Sequence, residues 1–446
     1  MSFETEIINI MEKDRNGSTA DFNHINKLIK EFDLSYRNIC VRTLAVPKVL
    51  SEKQYDEIGG FITKLYSIFD KVIEKYFSDA DYRKLFGFAP KLEELILSSH
   101  RRNGYIPMAR IDFFLDEEKG AITMCEINTD GTSAMNEDRL LGEFLEHNSA
   151  FQTFAKDKPY RRFELFDSWA VEFLTVYQAF LDEKDKASVQ QEKNLPRVAI
   201  VDFLDVGYVT EFEQFMKTFI RHGMETEICD IRDLIYNGKV LTTKSGMVID
   251  AIYRRAVTSD IMKHYDEVTP FLNAVRDGAV CLIGDFVTQI VHNKRLFFIL
   301  YHQATKDILS AEEYCFIEKH FPATFSLTSE NISLNNVNEN REQWIIKPCD
   351  SYGAKGFYAG KNCSLEDWQK ALNDHLKEDY VLQKFNQPYK TPNIDYSLAE
   401  PIVRDYSNLT GIFCYNGKPY GAYSRMADGD IISTQYDEKT IATVIV

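Results

Sequence analysis

Four side chains able to hold a metal ion or a phosphate stand two apart in two short runs. Arg110 and Asp112 lie in ARIDFFLD, Glu126 and Asn128 in AITMCEIN, and DEEKG separates the runs. Alternation interrupted by a turn signal predicts a β-hairpin. Side chains two apart on a strand share a face, so Arg110 goes with Asp112 and Glu126 with Asn128. Two carboxylates and an amide, with no histidine or thiolate among them, are hard oxygen ligands. They suit Mg²⁺, which takes a few carboxylates and completes its shell with water and substrate phosphates. The same residues also describe an exposed strand face on which Arg110 is salt-bridged to its neighbours, and the hairpin alone does not separate the two. A structural Ca²⁺ site has no EF-hand pattern behind it.

Further along, WIIKP is followed by the loop Asp350-Ser351-Tyr352-Gly353-Ala354-Lys355-Gly356. Gly353 and Gly356 let backbone N–H groups approach an anion, and Lys347 and Lys355 flank them, a combination that can cradle phosphates or form an ordinary hairpin turn. The Walker pattern is absent. Lys294, in VHNKRLFF, heads a predicted helix over QIVHNKRLFFILYHQ, where its charge opposes the helix dipole; a solvated lysine is the plainer reading. The run YVLQKF, with Gln383, Lys384 and Phe385, suits an adenine pocket or a buried strand. Arg254 and Arg255 close the strand VIDAIYRR as carboxylate forks or as a strand-end ion pair. Cys125 has no histidine near it in sequence and reads as a structural thiol. G-x-S-x-G and H-E-x-x-H are both absent.

These groups must be positioned by the elements around them. KQYDEIGGFITKLYSIFDKVIEKYF and KLEELILSS have helical spacing, as have MNEDRLLGEFLEHNSAF and FELFDSWAVEFLTVYQAFLDEKDK. The charged run EKDKASVQQEKNLP marks a boundary near 184–196. After it, RVAIVDFL, METEICDI, GMVIDAIYRRAV and AVCLIGDF alternate with the helices EFEQFMKTFIRHG and PFLNAVRDG, which predicts a parallel α/β sheet. No G-x-G-x-x-G follows its first strand. SLTSENISLNNVNENREQ reads as a polar loop, GFYAG as a strand and SLEDWQKALNDHL as a helix. NLTGIFCYNGKPYGAYSRMADGDIIS reads as antiparallel strands turning at Asn416-Gly417.

The chain has 446 residues and a net charge of -16, with 44% hydrophobic residues. Such an acidic surface disfavours nucleic acid and anionic membranes as partners. No apolar run is long enough to span a bilayer. The eight cysteines are scattered with no C-x-x-C pair, which argues against a zinc site and fits a reducing cytoplasm.

In this order, the pieces resemble a circularly permuted ATP-grasp ligase, most closely the synthetase domain of glutathionylspermidine synthase and its relatives. ARID…CEIN matches that family's R-x-D and E-x-N strands, IYRR its strand end, and VHNK its helix lysine. WIIKPCDSYGAKG matches its lysine and glycine loop, YVLQKF its adenine-side strand, AYSRMADGD its late arginine, and TVIV its apolar end. The resemblance runs from about residue 100 to the C-terminus.

It implies an α/β (α+β) ATP-grasp fold with an N-terminal helical region (1–100), a metal-site hairpin with helices (101–183), an inserted parallel α/β domain (196–290) and a nucleotide-binding part (291–446). It implies ATP and Mg²⁺ as cofactors, and a small-molecule or peptide carboxylate and an amine as substrates, joined through an acyl phosphate. Asp112, Glu126 and Asn128 would hold the metal. Lys294, Lys347, Ser351, Gly353, Lys355, Gly356, Gln383, Lys384, Phe385 and Arg425 would bind ATP. Arg110 would stabilise the tetrahedral oxyanion, as preorganised donors do. Asp130, Thr132, Ser133, Arg254 and Arg255 would bind the acid substrate. The permuted ligases are often dimers, so a homodimer is a further expectation. Two departures stand out: the chain lacks the family's N-terminal amidase domain, and Gly131 occupies one of its glutathione-binding serine positions. The alternative reading is a catalytically silent ATP-binding scaffold or sensor.

Overall fold

The computed structural model describes residues 2–36, 39–99, 103–185, 195–205, 209–327, 332–351, 355–433 and 437–446. Its centre is the expected hairpin. Strands Met108–Asp116 and Ala121–Asn128 pair antiparallel, with Arg110 opposite Asn128 and Asp112 opposite Glu126. The predicted face is therefore real, and it is shared across both strands. A bulge after Asp112 leaves Cys125 as the extra residue, since Phe113 pairs with Met124.

The hairpin does not stand alone. Met108–Asp116 also pairs with Val403–Tyr415, a strand from the far end of the sequence, which pairs in turn with Lys418–Ala427 and through it with Lys439–Ile441. Lys390–Ile394 completes this antiparallel sheet along Val403–Tyr415. The turn between the two long strands is Asn416-Gly417, both at positive φ (44° and 79°), as an Asn-Gly hairpin turn requires. Gly411 lies opposite Asp112, and a Cβ there would fall 2.5 Å from Asp112 Oδ1, so only glycine permits that approach.

Odd positions of the hairpin face the other way. Ile111 and Phe113 are fully buried, and Phe113 meets Phe61 edge-on at 5.9 Å. Phe61 belongs to helix Glu52–Ser78, which starts with a complete Ser51/Gln54 capping box and lays a long apolar face against the sheet.

The alternating segment forms a four-stranded parallel sheet in the order Cys281–Ile283, Ala251–Arg254, Val198–Asp202, Thr226–Asp230. Trp169, on helix Phe166–Asp185, locks the two sheets together. Its ring lies 5.4 Å from Tyr253 of the parallel sheet and 5.2 Å from Tyr415 of the antiparallel one. The boundary read near 184–196 falls largely outside the described residues.

A third sheet carries the nucleotide-side motifs: Thr324–Ser326, Tyr380–Lys384, Trp344–Pro348, Tyr358–Ala359, all antiparallel. Helix Leu365–His375 covers it, with Trp368 buried beneath. Two readings change here. The polar run after Leu327 contains a helix, Leu334–Glu339, capped by Ser333. The helix expected over 289–303 is broken into Gln289–His292 and Leu296–Ile299. Asn293 breaks it by taking an extended conformation (ψ 130°) while its side chain accepts from Arg295 N, a local bond that competes with the helix.

The apolar end also closes a pair: Thr443–Ile445 runs parallel to Lys48–Leu50. No helix among the described residues is long and apolar enough to cross a membrane.

Candidate active site: a cavity between three sheets

A cavity of about 760 Å³ opens between the antiparallel sheet, the third sheet and the C-terminal ends of the parallel strands. Fourteen positions singled out in the sequence line it: Arg110, Glu126, Asn128, Asp130, Thr132, Ser133, Arg255, Lys294, Lys347, Ser351, Lys355, Gln383, Lys384 and Phe385, and Arg425 makes one more. Asp112, Arg254 and Gly356 are not among the lining residues. Gly353 lies outside the described residues.

The end beside the third sheet is cationic. Lys347, on strand Trp344–Pro348, is buried, and its Nζ lies 5.6 Å from the Phe297 ring centre. Burial lowers its pKa, helped by neighbouring Lys294 and opposed by Cys125 and Glu126. Lys294 sits in the helix break instead of at a helix start. Its N–H donates to Cys349 O at 2.8 Å and its Nζ to Ser351 O at 2.8 Å, so it is tied to the glycine loop. Its Nζ is 3.6 Å from Glu126. Burial pushes the Glu126 carboxyl up, but Lys294, Lys347, His292 and Arg425 together outweigh it and hold it at about 2. The carboxylate in this cationic end is therefore charged at every ordinary pH.

Asp112, expected as a metal ligand, does not itself line the cavity. It is fully buried and saturated: Oδ1 accepts from Arg110 Nε (2.8 Å), and Oδ2 from Arg110 Nη2 (3.1 Å), Asn128 Nδ2 (3.0 Å) and Arg425 Nη2 (2.6 Å). Its charge holds two guanidiniums together, both near Tyr423, whose ring centre is 5.2 Å from Arg110 and 5.4 Å from Arg425. Arg110 also donates to Ser133 O at 2.8 Å. Three of its five N–H groups are thus committed, and two remain for a ligand. Arg425 additionally donates to Glu438 at 3.4 Å. On the third sheet, Gln383 is buried and donates to Thr324 at 2.8 Å.

Arg254 and Arg255, read as carboxylate forks or a strand-end ion pair, are each paired with a carboxylate of this chain. Arg254 pairs with Asp130 at 2.6 Å and bonds to Ala256 O and Gly284 O. Arg255 pairs with Glu211 at 3.0 Å, and also holds Thr132 O, Gly131 O and the Tyr253 hydroxyl. Asp130 accepts from Thr258 N (2.6 Å) and Gln289 (2.8 Å), and the Thr132 hydroxyl donates to Asn128 O at 2.9 Å. These groups pin the 129–134 turn to the parallel sheet, and Ser133 is left as the hydroxyl facing the cavity. Gly131 has a cause too. At φ 61°, a Cβ would lie 2.7 Å from Arg255 O, so no serine fits.

Several lining residues escaped the sequence reading. His292 closes the cationic end. Asp202 stands at the C-terminal end of a parallel strand, where ligands of open α/β sheets bind, and that rule could have found it. Burial pushes its carboxyl up to about 6. Glu137, Tyr423 and Glu438 carried no signal of their own. Cys125 is half-buried in the cavity wall, and burial pushes its thiol up to about 11, in keeping with an inert group.

No protein-family model and no curated protein sequence matches the chain. Among solved structures it is similar to a glutathione synthetase-like effector from Globodera pallida in apo form, with a TM-score of 0.59 and 12% identity over 96% of each chain. It also aligns with a putative gamma-glutamylcysteine synthetase from Methylobacillus flagellatus KT, at TM-score 0.38 and 10% identity over 89% of each chain. The chain and the Globodera pallida protein share a mixed α/β fold.

Proposed function

We propose that the protein is an ATP-dependent carboxylate–amine ligase built on a circularly permuted ATP-grasp fold, similar to glutathione synthetase and to the synthetase domain of glutathionylspermidine synthase. The observation that carries this reading is the polarity of the cavity. Two buried lysines, Lys294 and Lys347, meet one charged carboxylate, Glu126, at the end covered by the third sheet. Two arginines clamped by Asp112, Arg110 and Arg425, line the same cavity. A polyphosphate needs the first arrangement, and an acyl group that gains negative charge needs the second.

In this reading Lys294, Lys347 and Lys355 neutralise phosphate oxygens, with Ser351 beside them. Gln383, Lys384 and Phe385 border the base. Glu126 and the side-chain oxygen of Asn128, whose Nδ2 is committed to Asp112, would hold Mg²⁺. One carboxylate and one amide oxygen fit an ion that keeps water and phosphate ligands. When bound, the ion supplies neutralisation of the phosphate charge. Arg425 orients the transferred phosphoryl group. The two spare N–H groups of Arg110 receive the carbonyl oxygen as it becomes tetrahedral. Ser133 hydrogen-bonds the acid substrate, and Asp112, Arg254 and Arg255 hold the scaffold.

Thermal unfolding with Mg-ATP tests the nucleotide site. A ligand at 100 times its dissociation constant stabilises by about 2.7 kcal/mol. Wild type is expected to shift, and Glu126→Ala to lose the shift. Phosphate release on adding acid and amine then separates a ligase from a silent ATP sensor, which would bind nucleotide and release none.

A further inference from the structure

Three carboxylates from three elements lie close together near Arg110: Glu137 in the first turn of helix Met135–Phe144 and Glu438 before strand Lys439–Ile441, which both line the cavity, and Glu211 on helix Val209–Arg221 behind them. Two of them are spoken for. Glu211 gives Oε1 to the helix amides of Met135 (2.8 Å) and Asn136 (3.4 Å) and Oε2 to Arg255 (3.0 Å). Glu438 pairs with Arg425. Glu137 is different. It lines the cavity, is only 3% exposed, and its Oε2 has no hydrogen-bond partner among the described residues. A buried carboxylate oxygen left without a donor costs free energy unless a ligand supplies one.

Resting on the ligase reading, we propose that Glu137 receives the ammonium group of the amine substrate and takes a proton from it beside Arg110. The balance is simple. A primary ammonium has three protons and the amide product keeps one. Glu137 takes the first, which frees the nitrogen lone pair to form the C–N bond at the acyl phosphate. The C–O bond to phosphate breaks, the leaving phosphate takes the second proton, and Glu137 returns its own to water.

The surroundings suit this task. Burial and the Glu211 charge raise the Glu137 carboxyl, its own backbone N–H and Arg110 draw it back, and Glu438 raises it again. Tyr423 faces the same spot. Asp138, next on the helix, turns instead to the Thr443 backbone and Arg162. A carboxyl raised in this way lies nearer an ammonium in proton affinity than an exposed glutamate does, as an effective base should.

The test is calorimetric titration of butylammonium into the full-length protein with Mg-ADP at neutral pH, in two buffers of different ionisation enthalpy. Wild type is expected to bind with proton release, because an arriving cation drives Glu137 to its charged form. Glu137→Gln is expected to bind about tenfold or more weakly, as for a lost hydrogen bond to a charged group, and without proton release. Glu137→Asp should keep part of that release. Equal binding and equal proton release in wild type and Glu137→Gln overturn the proposal, as does a wild type that binds no butylammonium. A Mg-ATP shift retained by Glu137→Gln shows that the variant is folded. Loss of that shift in wild type itself counts against the ligase reading, separately from the amine result.

Discussion

At the residue scale, the most informative difference lies between two carboxylates that face each other across one hairpin. Sequence makes Asp112 and Glu126 equivalent, since both stand on the ligand face. The structure gives them different surroundings, because the neighbours that distinguish them, Arg425 and Lys347, arrive from more than two hundred residues away. Asp112→Asn leaves the buried Arg110 and the partly buried Arg425 without their counter-charge and is expected to cost about 3–5 kcal/mol in urea unfolding. Glu126→Gln removes a carboxylate that Lys294 and Lys347 hold charged, so some apo stability is expected to go with it, together with the whole Mg-ATP stabilisation. A Glu126→Gln variant that keeps the full Mg-ATP shift would show that Glu126 is only a counter-charge to the lysines.

Lys347→Met makes the complementary case: removing a desolvated cation is expected to leave the melting temperature unchanged or raised, with the Mg-ATP shift lost. The pH dependence of Glu137 is a further check. Its carboxyl is pushed up to about 8, so between its ordinary range near 4.5 and 8 the folded state holds a proton that the unfolded state has lost. Stability from this group is complete below pH 4.5 and is lost as pH rises toward 8. Glu137→Gln should therefore gain on wild type in urea midpoints as pH increases across that window, and match it in acid.

At the element scale, the hairpin, the parallel sheet and the Asn416-Gly417 turn were legible because each is written in local pattern: alternation, strand–helix rhythm and turn chemistry. The broken helix at Asn293 was not. Its apolar periodicity continues through the break, and the local Asn293–Arg295 bond acts together with distant contacts of Lys294 to Cys349 and Ser351 that no local pattern announces. Gly131 likewise looked like a lost serine and is a steric necessity. Gly131→Ser forces a side chain into left-handed backbone against Arg255 O, and should destabilise by about 1–3 kcal/mol or more. A variant as stable as wild type in urea would mean that the turn can move away from the parallel sheet, and that the hydroxyl slot is not closed.

At the scale of the whole molecule, the site exists because the chain returns to its own beginning. The expected antiparallel sheet is built from residues 108–128 and 390–441, and the parallel domain is threaded between them. Nothing local in the sequence states that pairing; only the order of motifs hinted at it. Closure is completed by Thr443–Ile445 lying parallel to Lys48–Leu50. Val444 and Ile445 are buried there, and Lys48, itself buried, is ion-paired to Glu117 of the hairpin turn. Glu117 also accepts from Thr391 (2.7 Å) and Asn408 (2.6 Å), so one network ties both ends of the chain to the hairpin. Removing residues 443–446 deletes two buried apolar side chains, whose burial is worth about 1.5–3 kcal/mol each. It also frees the strand that holds Lys48. The expected result is a fall of roughly 3–6 kcal/mol in urea unfolding together with a weaker Mg-ATP shift, because the hairpin that presents Glu126 is then anchored on one side only. A truncated chain that loses stability yet keeps the full ATP shift would show instead that the cavity is set by the antiparallel sheet alone, with the terminal strand acting only as a clasp.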